Sequence, residues 1–346
     1  MTSGYRITAD ASLRARTTFG VPARAPWLIE VEKASALDKV LALPQVTGGE
    51  TLVIGGGSNL LFAGNAPGAV IAMATHALRV LSDDGQHALV RADAGVAWHP
   101  LVMWTLDQGL CGLENLALIP GTAGASPIQN IGAYGTEVGE FIHVVEALDR
   151  HGGTRVRLDR EACAFAYRDS VFKREADRYL VTAVELLLPR TPALRLDYAG
   201  IRDELGAMGI SSPTARDVGE AVVRIRRRKL PDPAVVGNAG SFFKNPIVSQ
   251  AQADALLVDY PTLPVFRGDA AHNRKLSAAW MIEACGWKGH RDGDAGVSAT
   301  HALVLVNHGE ATGAQLLALA RKIAASVQAR FGVAIEPEPK IIGATW

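Results

Sequence analysis

Ser241 stands in Gly237-Asn238-Ala239-Gly240-Ser241-Phe242-Phe243-Lys244-Asn245-Pro246, where the residue types best suited to chemistry crowd together. Two glycines and an asparagine make a turn that tolerates φ > 0 and lets a ligand approach the backbone closely. Ser241 then offers a proton, Lys244 a charge and Asn245 an amide, and Pro246 ends the element. With no histidine-paired base beside it, the serine reads as an acid rather than an activated nucleophile. An ordinary glycine turn leading into a strand accounts for these residues at least as well.

Two further stretches suit phosphate. Thr51-Leu52-Val53-Ile54 reads as a buried strand that runs straight into Gly55-Gly56-Gly57-Ser58-Asn59-Leu60. Backbone N–H groups with no Cβ in the way can converge on an anion. The pattern is neither G-x-G-x-x-G nor a Walker sequence, which excludes Rossmann and P-loop assignments. A structural turn fits equally. Farther on, Gly112–Gly135 carries Pro120, Gly121, Thr122, Gly124, Ala125, Ser126, Gln129, Asn130, Gly132, Ala133 and Tyr134, which leaves little room for a regular element. Leu113, Leu116, Ile119, Ile128 and Ile131 nevertheless mark it as packed. A buried irregular segment needs partners for its backbone. A large polar cofactor supplies them, and a self-satisfied loop is the competing account. Together the two stretches predict a dinucleotide without saying which.

Charge is concentrated at three places. Arg168 lies among aromatics beside Asp169 and Ser170, placed either to meet a carboxylate or developing enolate or to pair with Asp169. Arg226-Arg227-Arg228-Lys229 ends a helical pattern, where the helix dipole and an anion-binding ridge are both adequate explanations. Ile335-Glu336-Pro337-Glu338-Pro339-Lys340-Ile341-Ile342 has the composition of a surface tail, but Ile341 and Ile342 predict that it is tied down as a strand.

The positioning elements are legible in part. Strands are expected over Trp27–Val31, Phe141–Leu148, Tyr179–Leu188 and His301–Asn307. A helix capped by Ser35 is expected to stop at Pro44, and others cover 97–110 and Lys275–Cys285. Ser212-Pro213 is expected to open the helix that ends at Lys229. Residues 313–331 give the cleanest pattern, with Thr312 and Gln315 as a capping box and Gly332 as the stop.

Composition bounds the rest. The 346 residues allow two or three domains, and 35 basic against 35 acidic residues give no net charge. Bulk attraction to nucleic acid is thereby excluded, and any positive field is local. Cys111, Cys163 and Cys285 lie far apart, so neither a disulfide framework nor a metal site is expected. Met1–Arg6 lacks the apolar core of a signal peptide, and no apolar run reaches the about 18 residues that span a bilayer. A cytoplasmic protein is expected, with a small-molecule substrate and no membrane or nucleic-acid partner.

Seven motifs occur in a specific order: Thr18-Phe19-Gly20, Ile54–Leu61, Gly112–Gly135, Tyr167-Arg168-Asp169-Ser170, Lys229–Pro233, Gly237–Pro246 and Glu336–Gly343. In this, over almost its whole length, the chain resembles the UDP-N-acetylenolpyruvoylglucosamine reductase (MurB) family. The resemblance implies an α+β fold with a two-part FAD-binding half of the vanillyl-alcohol-oxidase/PCMH kind and a separate α+β substrate-binding domain. The divisions expected are 1–78 and 79–211 for FAD and 212–334 for substrate, with the tail 335–346 near the first. It implies that Ile54–Leu60 and the Pro120–Tyr134 residues named above hold FAD, with NADPH as reductant. Arg168, Ser241 and Glu338 fall on catalytic positions. Arg226, Lys229, Asn245 and Lys340 are expected to contact substrate. Tyr198, in Leu196-Asp197-Tyr198-Ala199-Gly200, matches the loop of the family's longer type, which closes over substrate. The expected reaction adds a hydride to the enolpyruvyl ether of UDP-N-acetylglucosamine and takes a proton from Ser241, in a monomer. Thr17 departs from the usual Asn, and Pro339-Lys340 from an apolar residue and Arg. A related FAD-dependent oxidase of an alcohol or sugar is the alternative enzyme, and a non-catalytic nucleotide-binding module the alternative of another class.

Overall fold

The computed structural model describes residues 4–198, 200–268 and 270–346. Two compact units divide the chain. One comprises residues up to Ala11, Ala25–Gly56 and Pro67–Arg228; the other comprises Ser12–Arg24, Gly57–Ala66 and Lys229–Trp346.

In the first unit, all five residues of the strand Ala69–Met73 are buried, the pattern of a strand covered on both faces. Arg24–Val31 and Thr51–Ile54 pair with it in parallel, which sets Ile29 opposite Ile71 and Leu52 opposite Val70. The glycines after Ile54 therefore leave the sheet at its carboxyl edge, where open α/β sheets bind ligands. A second sheet has the order Thr154–Asp159, Ile142–Asp149, Tyr179–Pro189, His87–Asp93, Leu78–Asp83. Its pairings are antiparallel, with Val184 opposite both Val145 and Ala92. Ala88, Val90 and Ala92 alternate into a core shared with the helices Trp98–Asp107 and Ala215–Lys229.

That second helix differs from the sequence expectation. It was expected with the C-terminal domain, yet Val218, Val222 and Ile225 bury themselves in the core of the first unit. Nor does Ser212 cap it. The Thr214 hydroxyl accepts the Asp217 N–H at 3.2 Å, and the Asp217 carboxylate accepts the Thr214 N–H at 2.8 Å. A reciprocal cap satisfies two donors where Ser-Pro satisfies fewer. Ser35 also caps nothing: Ala34–Ala36 is a 3-10 turn leading into a five-residue helix, Leu37–Leu41. Pro44 opens the next short helix, Pro44–Thr47, where its missing N–H is no loss.

In the second unit, Gly237–Ser241, Val304–Asn307, Ala295–Val297 and Arg291–Asp292 form one sheet in that order. A smaller sheet runs Ile247–Ser249, Asn273–Leu276, Val265–Arg267. Because Asn273–Leu276 is a strand, the helix expected from Lys275 starts at Ala278, where the Ser277 hydroxyl accepts the Trp280 N–H at 3.2 Å. The strand expected from His301 begins at Val304. Gly313–Phe331 has the expected capping box, and Gly332 closes it with φ 65°. The tail forms a strand, Lys340–Ile342, parallel to Leu60–Phe62.

Candidate active site

The first unit builds a glycine cradle. A Cβ on Gly55 would lie 2.5 Å from Thr122 Oγ1, and one on Gly56 would lie 3.0 Å from the Gly121 Cα. The two glycine segments thus lie in backbone contact, which no larger residue would permit. Backbone bonds pin the second of them, with Trp98 N–H donating to Gly121 O at 3.0 Å and Gly124 N–H to Ala94 O at 2.9 Å. Side chains of the helix Trp98–Asp107 grip the approach. Trp98 Nε1 donates to Leu116 O at 3.0 Å, and His99 Nδ1 accepts the Leu118 N–H at 3.1 Å.

Part of the cradle is tied into the protein and part is not. Ser126 donates to Ala123 O at 2.7 Å. Asn130 accepts the Gly139 N–H at 2.9 Å and donates to Glu137 and Ala166 at 2.7 and 3.1 Å. These two side chains shape the loop. Thr122 Oγ1, in contrast, is buried without a hydrogen-bond partner among the described residues. An orphaned hydroxyl facing glycine backbone fits a bound phosphate, since a buried polar group left unmatched is costly. The residues present therefore fit FAD.

Beyond the cradle, Gly132–Ala133 and Thr136–Glu137 make a hairpin whose two turn residues, Tyr134 and Gly135, have φ 49° and 79°. That is the φ signature of a type I′ turn, unusual for tyrosine and a local strain. Tyr134 packs edge-on against Tyr198 at 5.3 Å, beside a cavity of about 380 Å³ that Leu194, Arg195 and Asp197 also line. Tyr198 itself is 54% exposed. Arg168 sits at the tip of a tight turn closed by Ala166 and Asp169, with φ 55°, and donates to Gly132 O at 2.9 Å. The alternative pairing with Asp169 fails: that carboxylate bonds Arg174. Arg226 donates to Leu118 O at 3.3 Å. Burial lowers the pKa of its guanidinium, and the charge of Arg168 lowers it further. Burial raises the Tyr134 phenol, which Arg226 opposes. Arg168, Tyr134, Tyr198 and Arg226 thus form one electropositive neighbourhood. Arg228, the cation two residues on, is taken up by Glu204.

The second unit builds a different site. Ser241 ends a strand whose pairing with Val304–Asn307 is interrupted by a bulge after Asn238. Asn238 is 2% exposed and holds that bulge. It accepts the Gly240 N–H at 3.0 Å and donates to Pro231 O and Val236 O at 3.0 and 2.8 Å. A Cβ on Gly237 would fall 2.3 Å from Phe19 O, a carbonyl that also accepts from Asn307 at 2.9 Å. The Thr18-Phe19-Gly20 turn is therefore wedged under the serine strand. Its other side meets Gly57, whose φ is 63° and whose Cβ would strike Arg16 O at 1.9 Å. Thr17 Oγ1 and Thr18 Oγ1 are buried there without hydrogen-bond partners among the described residues.

The tail completes this site. Glu338 N–H donates to Phe242 O at 2.7 Å, Lys340 N–H to Asn59 O at 3.0 Å, and Asn59 Nδ2 to Glu338 O at 3.2 Å. Pro337 and Pro339 fall on the alternate positions, where no N–H is used. The carboxylate of Glu338 is thereby carried on the chain segment bonded directly to the residue after Ser241. Asn245 Oδ1 accepts the Ala278 N–H at 3.0 Å, so part of this amide holds a helix start. Lys229 O accepts from Thr300 at 2.9 Å, and the Lys229 charge adds to burial in lowering the pKa of His301. The sequence reading missed Trp98, His99 and Asn307, and took Asn238 only as a turn former.

Residues 25–159 match the FAD binding domain family, and residues 232–342 match the C-terminal domain of UDP-N-acetylenolpyruvoylglucosamine reductase. The chain is 58% identical to the UDP-N-acetylenolpyruvoylglucosamine reductase of Xanthomonas euvesicatoria pv. vesicatoria over 99% of its length and 98% of that protein. It is 57% identical to the protein of the same name from Xylella fastidiosa, over 100% and 98% of the two lengths. A crystal structure of the enzyme from Thermus caldophilus matches with a TM-score of 0.67 and 26% identity, over 98% of each chain. The fold is accordingly α+β, with an FAD-binding half and a separate C-terminal domain.

Proposed function

This chain belongs to the UDP-N-acetylenolpyruvoylglucosamine reductase family, and we propose that Ser241, Glu338 and Arg168 carry its chemical step. It is an NADPH-dependent flavoprotein that reduces the enolpyruvyl ether of UDP-N-acetylglucosamine to UDP-N-acetylmuramate in peptidoglycan precursor synthesis. Bound FAD supplies the hydride chemistry between NADPH and substrate.

The protein's task is the charge left behind. A hydride added to the terminal carbon of the ether leaves a negative charge shared between the next carbon and the carboxylate. Arg168 neutralises it, and its contact with Gly132 O limits where the guanidinium can point. Glu338 shares a proton or hydrogen bond with the developing acid on the carboxylate side. Ser241 gives its proton to the second carbon, since only a strongly basic enolate can draw a proton from so weak an acid. The observation that carries this reading is the 2.7 Å bond from Glu338 N–H to Phe242 O, which joins the acid's strand to the carboxylate's.

Ile54–Leu60 and the cofactor residues named between Pro120 and Tyr134 would hold FAD, with the Thr122 hydroxyl as a donor to it. Tyr198, Arg226, Lys229, Asn245 and Lys340 hold the UDP-sugar. No described helix is long and apolar enough to cross a membrane. We read the enzyme as a cytoplasmic monomer, which sedimentation of the holoenzyme would test. For the catalytic assignment, Glu338→Gln is expected to retain FAD and to lose about 10²-fold in kcat. Retention of kcat within twofold would remove Glu338 from the chemistry.

A further inference from the structure

The first turn of the helix Trp98–Asp107 carries two adjacent rings that both face the loop ahead of the cradle. Trp98 holds Leu116 O, and His99 holds the Leu118 N–H. Leu118 is peculiar in its own right. Its φ is 57°, a left-handed conformation that costs a branched residue of order 1–2 kcal/mol. Side chains hold both of its backbone groups: the N–H by His99 Nδ1 at 3.1 Å and the carbonyl by Arg226 Nε at 3.3 Å. The two bonds flank one Cα, so together they fix its torsions. Arg226 has no carboxylate within salt-bridge distance among the described residues; a backbone carbonyl orients it instead.

We propose that His99 is a positioning residue for substrate binding, acting through the strained Leu118 peptides to hold the Arg226 guanidinium in its substrate-binding orientation. The inference rests on reading Arg226 as a substrate contact. A ring nitrogen that accepts a hydrogen bond must be unprotonated, so His99 performs this task only as the neutral imidazole. Its surroundings favour that form. Arg216, Arg226 and Arg227 face it from the helix Ala215–Lys229, with Glu220 as the one opposing charge there. Asp107, on its own helix, is bonded to Arg216 at 2.5 Å. Burial and the three guanidiniums all lower the His99 pKa. Protonation would turn the acceptor into a donor facing a donor, and Leu118 would lose the bond that holds its torsion.

The test uses the holoenzyme and three variants. His99→Leu removes the acceptor and is expected to raise KM for the enolpyruvyl UDP-sugar about tenfold, the worth of one good hydrogen bond, with a smaller change in kcat. His99→Asn keeps an acceptor near the Nδ1 position and is expected to bring KM back within about twofold of the parent. As pH falls below the ordinary histidine range, KM of the parent rises while that of His99→Asn stays flat. His301 also titrates low, and the comparison with His99→Asn separates the two histidines. Arg226→Gln serves as the control and should raise KM at every pH. An unchanged KM in His99→Leu alongside a raised KM in Arg226→Gln overturns the role of His99 alone. An unchanged KM in Arg226→Gln overturns the substrate role of Arg226, and the inference falls with it. Should His99→Leu fail to fold, a parent and a His99→Asn enzyme with the same pH dependence would still overturn it.

Discussion

The cradle of the first unit and the serine strand of the second reach precision by opposite means. Around the cradle, backbone packs on backbone, and Leu118, Asn130, Tyr134 and Arg168 are all held at positive φ. Glycines there mark close approach: any side chain on Gly55 or Gly56 would collide with Gly121 or Thr122. Around Ser241 the backbone is mostly regular, and amide side chains do the holding. Asn238 grips the bulge, Asn59 the Glu338 carbonyl and Asn307 the wedge at Phe19. The contrast matches two chemical tasks. A large anionic cofactor needs space and converging donors, which removing side chains provides. A weak acid that must meet one carbon needs fixed direction, and hydrogen-bonded amides provide that.

If the contrast holds, the largest structural effect comes where a glycine faces backbone. Gly57→Ala places a Cβ 1.9 Å from Arg16 O at a positive φ, so the wedge must shift. A loss of several kcal/mol in unfolding free energy is expected, read by thermal melting of the apoprotein. Next comes Asn238→Ala, which strands three half-buried backbone partners and should cost about 1–3 kcal/mol while leaving FAD affinity nearly unchanged. A matching loss of FAD affinity would blur the division between the two regions. Smallest is Thr122→Val. It removes a hydroxyl with no partner among the described residues, so apoprotein stability should hold or rise, while the Kd for FAD weakens about tenfold. An unchanged Kd would mean that this hydroxyl faces no cofactor.

Legibility in the sequence follows the range of the interactions. The helix Gly313–Phe331 was readable from end to end because its cap, stripe and stop are all local, and Thr312, Gln315 and Gly332 perform as their types predict. The tail was readable because Ile341 and Ile342 in a proline-rich segment imply a buried strand, although its partner Leu60–Phe62 did not announce itself. Local competition misled the reading at Ser35 and Ser212, where a 3-10 turn and the Thr214–Asp217 pair won. Ala215–Lys229 was grouped by sequence proximity to Gly237, while its apolar face answered to Leu101 and Val184. His99, Asn238 and Asn307 were illegible as holders because their partners are carbonyls and amides, which carry no sequence signal.

The claim on which the account turns is that Ser241 acts only as the proton donor to reduced substrate. Ser241→Ala, followed by anaerobic stopped-flow in two separate mixings, tests it directly. Bleaching of the flavin by NADPH should proceed at the parent rate, and reoxidation by the enolpyruvyl UDP-sugar should slow by about 10²–10⁴-fold. Equal slowing in both mixings, or reoxidation at the parent rate, would contradict it.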